Sequence, residues 1–186
     1  MTRRPRVLAA VGVAFTLALA GCTGTPAPAP NPGSSEGAQP QAGSPTPSAT
    51  VDPADVTCEN MLGEDTVAEF TDNDWSVRED PFVILDLELP DGTSCTWGDF
   101  SSPTSDDLVL FGWAPIDADD AASIQDALVA EGWLREDDAA GALVTEDPAL
   151  ALRLDADGYG MTYRFGDGWV TVSDTKQGLD LIDVRP

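Results

Sequence analysis

Histidine is absent from this sequence, which removes the Ser-His-Asp and Cys-His arrangements of nucleophilic catalysis and the commonest zinc ligand. No Gly-x-Ser-x-Gly, Ser-x-x-Lys or phosphate-cradling glycine loop stands in their place. Carboxylate is what the chain has in excess, with 33 Asp and Glu against 9 Lys and Arg. Paired carboxylates can do glycosidase-type acid and base work, but with so many acids any fold brings some pair together, and the excess singles out none of them. We therefore expect no enzyme, no catalytic residue and no cofactor. Asp117-Ala118-Asp119-Asp120 and Asp155-Ala156-Asp157-Gly158 begin like calcium loops, yet neither continues to a Gly at the sixth position with an acid at the twelfth, so no metal site is expected. The remaining candidate is Arg164 with Trp169. An Arg beside an exposed Trp in an acidic chain could contact an anionic or aromatic partner; the simpler expectation is a cation–π pair covering the end of a hairpin.

The elements that would position these residues follow from periodicity. Cys58 to Leu62 and Glu64 to Phe70 read as two short helical turns separated by Gly63. Val83 to Leu89 alternates apolar and acidic residues toward its end, which predicts a half-exposed strand before a Pro90-Asp91-Gly92 turn. Strands are also expected over Ser94 to Phe100, with Cys95 and Trp97 on its core side, and over Leu108 to Trp113. The strongest helix runs from Asp119 to Glu131, with Ala121, Ile124 and Leu128 on one stripe, aspartates at its N-terminus and Gly132 beyond its end. If Asp157-Gly158 and Asp167-Gly168 are both two-residue hairpin loops, Tyr163 lies between Leu152 and Val172, and Phe165 between Leu150 and Val170. Leu154 then faces Met161. That pairing places Arg153, Thr162, Arg164, Trp169, Thr171 and Ser173 on the opposite face. The expected fold is α+β: an antiparallel sheet whose C-terminal meander, residues 150–173, packs against one main helix, with short N-terminal helical turns.

The N-terminus carries Arg3, Arg4 and Arg6 followed by 14 residues without charge, Val7 to Ala20, too short for the ~20 that span a bilayer and suited to a secretory signal. Leu19-Ala20-Gly21-Cys22 closes this stretch and resembles the lipobox of bacterial lipoproteins. The resemblance implies cleavage before Cys22, a diacylglyceryl group on its thiol, and a lipid-anchored protein on the extracytoplasmic face of the cell membrane. Loss of residues 1–21 removes three Arg and takes the formal charge from -24 to -27. Nucleic acid is excluded as a partner, since phosphate binding draws on clustered Lys and Arg, and attachment to the membrane falls to the acyl chains at Cys22. With Cys22 lipidated and the chain exported, Cys58 and Cys95 are left to form a disulfide. Residues 22–51 hold seven Pro amid Ala, Gly, Ser and Thr, and read as a disordered tether reaching between ~30 and ~90 Å. Residues 52–186 are left as one globular domain.

Lipobox, Pro-rich tether, a first Cys opening a helical segment and a second in Cys95-Thr96-Trp97 together resemble the small cell-envelope lipoproteins of actinobacteria. The resemblance implies an α+β sheet-and-helix domain in the cell envelope and brings no catalytic residues with it. The expected function is a non-enzymatic binding or interaction role in the envelope. The alternative is a carrier or sensor of a small apolar ligand held between sheet and helix.

Overall fold

A computed structural model describes residues 51–102 and 105–184; the signal segment, Cys22 and nearly all of the tether lie outside the described residues. Seven strands pair antiparallel in one sheet. They are β1 (Ser76–Ile84), β2 (Leu87–Gly98), β3 (Leu108–Pro115), β4 (Leu134–Asp138), β5 (Gly141–Thr145), β6 (Thr162–Phe165) and β7 (Trp169–Ser173), in the spatial order β1-β2-β3-β7-β6-β5-β4. The helix α1 (Glu64–Asp72) precedes the sheet, and α2 (Ala118–Ala130) carries the chain from β3 in the middle to β4 at the far edge. Among the described residues no helix is long and apolar enough to cross a membrane.

Both faces of the sheet are covered over its central strands, while β4 and most of β1 stay exposed at the edges. On the first, Val144, Tyr163, Phe165, Val170 and Val172 form one cluster with Ala121, Ile124 and Leu128 of α2, the stripe expected from spacing. Asp117 caps this helix, its Oδ1 accepting from the backbone N–H of Asp119 (3.0 Å) and Asp120 (2.8 Å), and Gly132 takes the left-handed φ of +100° that ends it. On the second face, Trp97, Phe111, Trp113 and Leu143 cluster with Cys58, Met61 and Leu62 from the N-terminal side and with Leu179, Ile182 and Val184 from the C-terminal side. The Cys58–Cys95 disulfide is present, both residues buried, with Cα atoms 5.6 Å apart. Leu62 and Ile182 form an antiparallel bridge, and Asp183 N–H donates to the Met61 carbonyl at 2.8 Å, so the two covering segments also hold each other. Of the two expected N-terminal turns, the second is α1 and the first is a single turn, stapled by Thr57 N–H to Asn60 Oδ1 at 2.7 Å and Asn60 N–H to Thr57 Oγ1 at 3.3 Å.

Three expectations are corrected. The hairpin turn lies at Leu85-Asp86, with Leu85 at φ 55°, and Pro90-Asp91-Gly92 is not a turn but a bulge within β2: the register passes from Pro81 opposite Thr93 directly to Phe82 opposite Leu89. A Cβ on Gly92 would stand 2.5 Å from that of Ala114 and 2.8 Å from that of Phe82, a closeness that only glycine accepts. The bulge lets the hairpin end bring Phe82, Ile84 and Leu89 into the first-face cluster. The second correction concerns the C-terminal meander. Across the Asp167-Gly168 loop the expected register stands, with Phe165 opposite Val170 and Tyr163 opposite Val172. On the other side of β6 the neighbour is β5, with Val144 opposite Tyr163 and Ala142 opposite Phe165, and residues 146–161 form a loop in which Leu150, Leu152 and Leu154 are exposed. Asp155 is the cause: its Oδ1 accepts from Asp157 N–H (3.0 Å) and Tyr159 N–H (2.9 Å), closing Asp157-Gly158 into a loop instead of a ladder. Third, Thr162, Thr171 and Ser173 are buried, because the second face is covered as well. Thr162 Oγ1 meets this by donating to the Gly160 carbonyl at 2.8 Å and sharing a hydrogen bond with Thr145 Oγ1 at 2.9 Å.

Two measurements check this layering. The disulfide closes a separation of 37 residues, so Cys58→Ala with Cys95→Ala should cost about 4 kcal/mol in the chain-entropy account; a loss under about 1 kcal/mol by urea titration would show that the second face holds without its staple. Burial pushes the Tyr163 hydroxyl up to about 12, against about 10 in an unfolded chain. The folded protein keeps this proton longer, so stability is intact below pH 10 and falls as pH rises toward 12, by roughly 2–3 kcal/mol from this group. Denaturant titrations across that range should show the fall in the parent protein and a fall smaller by about that amount in Tyr163→Phe, where the raised Lys176 still titrates.

Candidate functional site

The pairing of β6 with β7 places Arg164 opposite Thr171, and Thr171 in turn faces Trp113 on β3. All three project toward the second face, where the C-terminal covering segment passes over them. Between sheet and segment is a cavity of about 40 Å³ lined by Arg164, Trp169, Thr171, Leu179, Ile182 and Val184. Trp169 forms its outer wall, the indole lying across Gly166, where an added Cβ would collide with Cε2 and Cζ2. Gly166 N–H donates to the Trp169 carbonyl at 2.9 Å and Gly168 turns the hairpin at φ +83°.

The structure thus brings Arg164 and Trp169 to one cavity, but not as the expected cation–π pair. Contacts of that kind among the described residues are Arg78 over Phe100 and Lys176 over Tyr159, each 3.7 Å from the ring centre. Arg164 instead pairs with Asp138 at the end of β4, Nη2 to Oδ2 at 3.3 Å, with its side chain only 18 % exposed. Its Nε is buried without a partner. Thr93 Oγ1, Trp97 Nε1 and Trp113 Nε1 share that condition on the same face, and Thr93 stands opposite Trp113 in the ladder. A buried donor without an acceptor costs about 1–3 kcal/mol, and a cavity of this size exceeds the ~10–15 Å³ that one water needs. The site can therefore accept an oxygen atom, from water or from a ligand, against the Arg164 guanidinium. Its lining supplies one guanidinium, one hydroxyl and apolar walls, and no carboxylate that could serve as an acid or base.

A second cleft, of about 330 Å³ and open to solvent, was not legible from the sequence. It is lined by Glu79, Asp80, Pro81, Glu88, Leu89 and Pro90 and exists because the β2 bulge parts the two strands. The cue is Pro90-Asp91-Gly92, which the sequence presents as a turn. Among the described residues no group of three or more acids and cysteines is placed to hold a metal ion. Both calcium-like stretches have structural uses, Asp117 as the cap of α2 and Asp155 as the acceptor that closes the 155–159 loop.

Compared with known proteins, the chain matches no family model, no curated sequence and no solved structure.

The two ion pairs at the β4 end separate buried from exposed electrostatics. Asp138→Asn keeps an acceptor for Ala140 N–H but strips the counter-charge from a guanidinium already short of one acceptor, and should cost about 1–2 kcal/mol. Asp137→Ala breaks the exposed pair with Arg135 and should stay within about 0.5 kcal/mol. Equal losses in urea titrations would mean that Arg164 is solvated in solution.

Proposed function

We propose that the mature protein is a lipid-anchored extracytoplasmic domain of the cell envelope, held to the membrane through acyl chains on Cys22 and acting by binding rather than by catalysis. Of the structural observations, the Cys58–Cys95 disulfide supports this most directly. Structural disulfides belong to oxidising compartments, and this one fits a chain whose N-terminus reads as an export signal ending in Leu19-Ala20-Gly21-Cys22. The likeness to small actinobacterial cell-envelope lipoproteins belongs to the same proposal. The strands β5 to β7 backed by α2 would be the rigid platform of such a domain, with the Arg164 and Trp169 rim as a contact point. The formal charge of -24 supports a protein partner over nucleic acid.

The alternative, a small apolar ligand between sheet and helix, needs space there. Ile124, Leu128, Val144, Tyr163 and Val172 occupy that interface and are all buried, and the two clefts described above lie elsewhere. We therefore favour contact over carriage.

Cys22→Ser should move the protein from the membrane fraction to a soluble form that needs no detergent. Continued sedimentation of this variant with membranes would overturn the anchor at Cys22.

A further inference from the structure

Loop 146–161 turns three leucines toward solvent. Leu150 is 71 % exposed, Leu152 103 % and Leu154 45 %, and Arg153 between them, its side chain 45 % exposed, is tied to the fold: its Nη1 donates to the Leu108 carbonyl at 2.9 Å and to Asp174 Oδ2 at 3.0 Å. An unconstrained loop would turn leucine inward.

This loop is held at both ends and in the middle. Asp147 Oδ1 accepts from Ala149 N–H at 2.8 Å, and the Asp147 carbonyl accepts from Leu150 N–H at 2.8 Å and Ala151 N–H at 3.1 Å. Asp155 takes Gln177 N–H on its second oxygen at 3.1 Å. Tyr159 donates its hydroxyl to Glu136 at 3.0 Å, under the Lys176 ammonium that also pairs with Glu136. The Asp147 bonds close the loop on itself, and Arg153, Asp155 and Tyr159 tie it to other parts of the fold, so its backbone is held and a partner would have less of it to order.

We propose that this leucine loop is the docking surface for a partner protein that offers an apolar groove with a basic rim. Glu146 and Asp147 precede the leucines and Asp155 and Asp157 follow them; Asp147 and Asp155 accept from backbone N–H groups but keep their charge, so the leucines lie in a negative field. Charge selects among occupants: a second copy brings 33 acids against 9 bases, and an anionic bilayer repels the same flanks, whereas a basic rim complements them. Apolar anchors ringed by complementary charge are the usual plan of a specific interface. The proposal deepens the interaction reading above by naming the surface, and is independent of where Cys22 places the chain.

The test is photo-crosslinking of the full chain in the cells that make it, with Ala149→p-benzoylphenylalanine in the loop and, separately, Asp167→p-benzoylphenylalanine beside Trp169. We expect one protein adduct from position 149, at least tenfold weaker when Leu150, Leu152 and Leu154 are changed to Ser, and a partner peptide rich in Lys and Arg at the joined site. Since all three side chains face solvent, the Ser variant should keep its thermal midpoint within a few degrees; Leu152→Ser alone, at the fully exposed position, should still weaken the adduct severalfold. A homodimer adduct, a lipid adduct, an adduct indifferent to the leucines or none at 149 would each overturn the proposal. An adduct at 167 with none at 149 would sink the loop and leave the interaction reading standing; silence at both positions would sink both.

Discussion

One sheet with both faces covered over its central strands is the constraint on which the rest of this structure depends. The first face is covered by α2, a continuous amphipathic element, together with the folded end of the β1–β2 hairpin. Among the described residues no helix of comparable length is left for the second, and short pieces do the work: the turn at Cys58, the helix α1 with Phe70 stacked on Trp75 at 5.1 Å and tilted against Trp97 at 5.3 Å, and the segment through Leu179 and Ile182. Such pieces have little stability of their own. The disulfide and the Leu62–Ile182 bridge supply it by tying them to the sheet and to each other.

Elements with a one-sided pattern were the legible ones. The α2 stripe, its Asp117 cap and its Gly132 end all follow from local spacing, and so does the β6–β7 register; the pairing of the two cysteines follows from the export signal and from Cys22 being set aside for lipid. What was misread came from burial on the second side, which leaves no alternation to read. β5, Gly-Ala-Leu-Val-Thr, is an apolar run without periodicity, and β4, Leu-Arg-Glu-Asp-Asp, is exposed throughout as an edge strand. Without those two, Asp157-Gly158 stood as the only available turn before β6. The candidate site suffered similarly: Arg164 and Trp169 could be placed together across their hairpin, but Asp138 could not, since its neighbourhood with Arg164 depends on the β5–β6 pairing.

The acidity has a structural part that composition conceals. Asp52, Asp99, Asp117, Asp138, Asp147 and Asp155 each accept from the backbone N–H two residues ahead, an arrangement that fixes turns and helix starts without a core. A hydrogen bond from the Ser101 hydroxyl, with the N–H groups of Ser101 and Ser102, holds the Asp99 carboxyl below its usual range. Burial alone would push Asp155 up, and the N–H groups of Tyr159, Gln177 and Asp157 bring it below the ordinary value. Asp117 and Asp155, which open the two calcium-like stretches, are therefore committed to the chain itself. Engaged and unengaged carboxylates alike contribute to the long-range negative field.

The sheet is two locally built halves. β1 to β3 follow one another along the chain and pair in sequence order, as do β4 to β7, and among the described residues the halves are joined by the ladder of β3 with β7, from Phe111 opposite Ser173 to Pro115 opposite Trp169. The β1–β2, β4–β5 and β6–β7 ladders can zip from short turns and β5–β6 closes over residues 146–161, whereas this one must close a loop of more than fifty residues that includes α2. The seam thus carries the entropic cost of assembly. Both buried clusters straddle it, through Ala114 and Val170 on one face and Trp113 and Leu143 on the other, so neither core is complete until the halves have met.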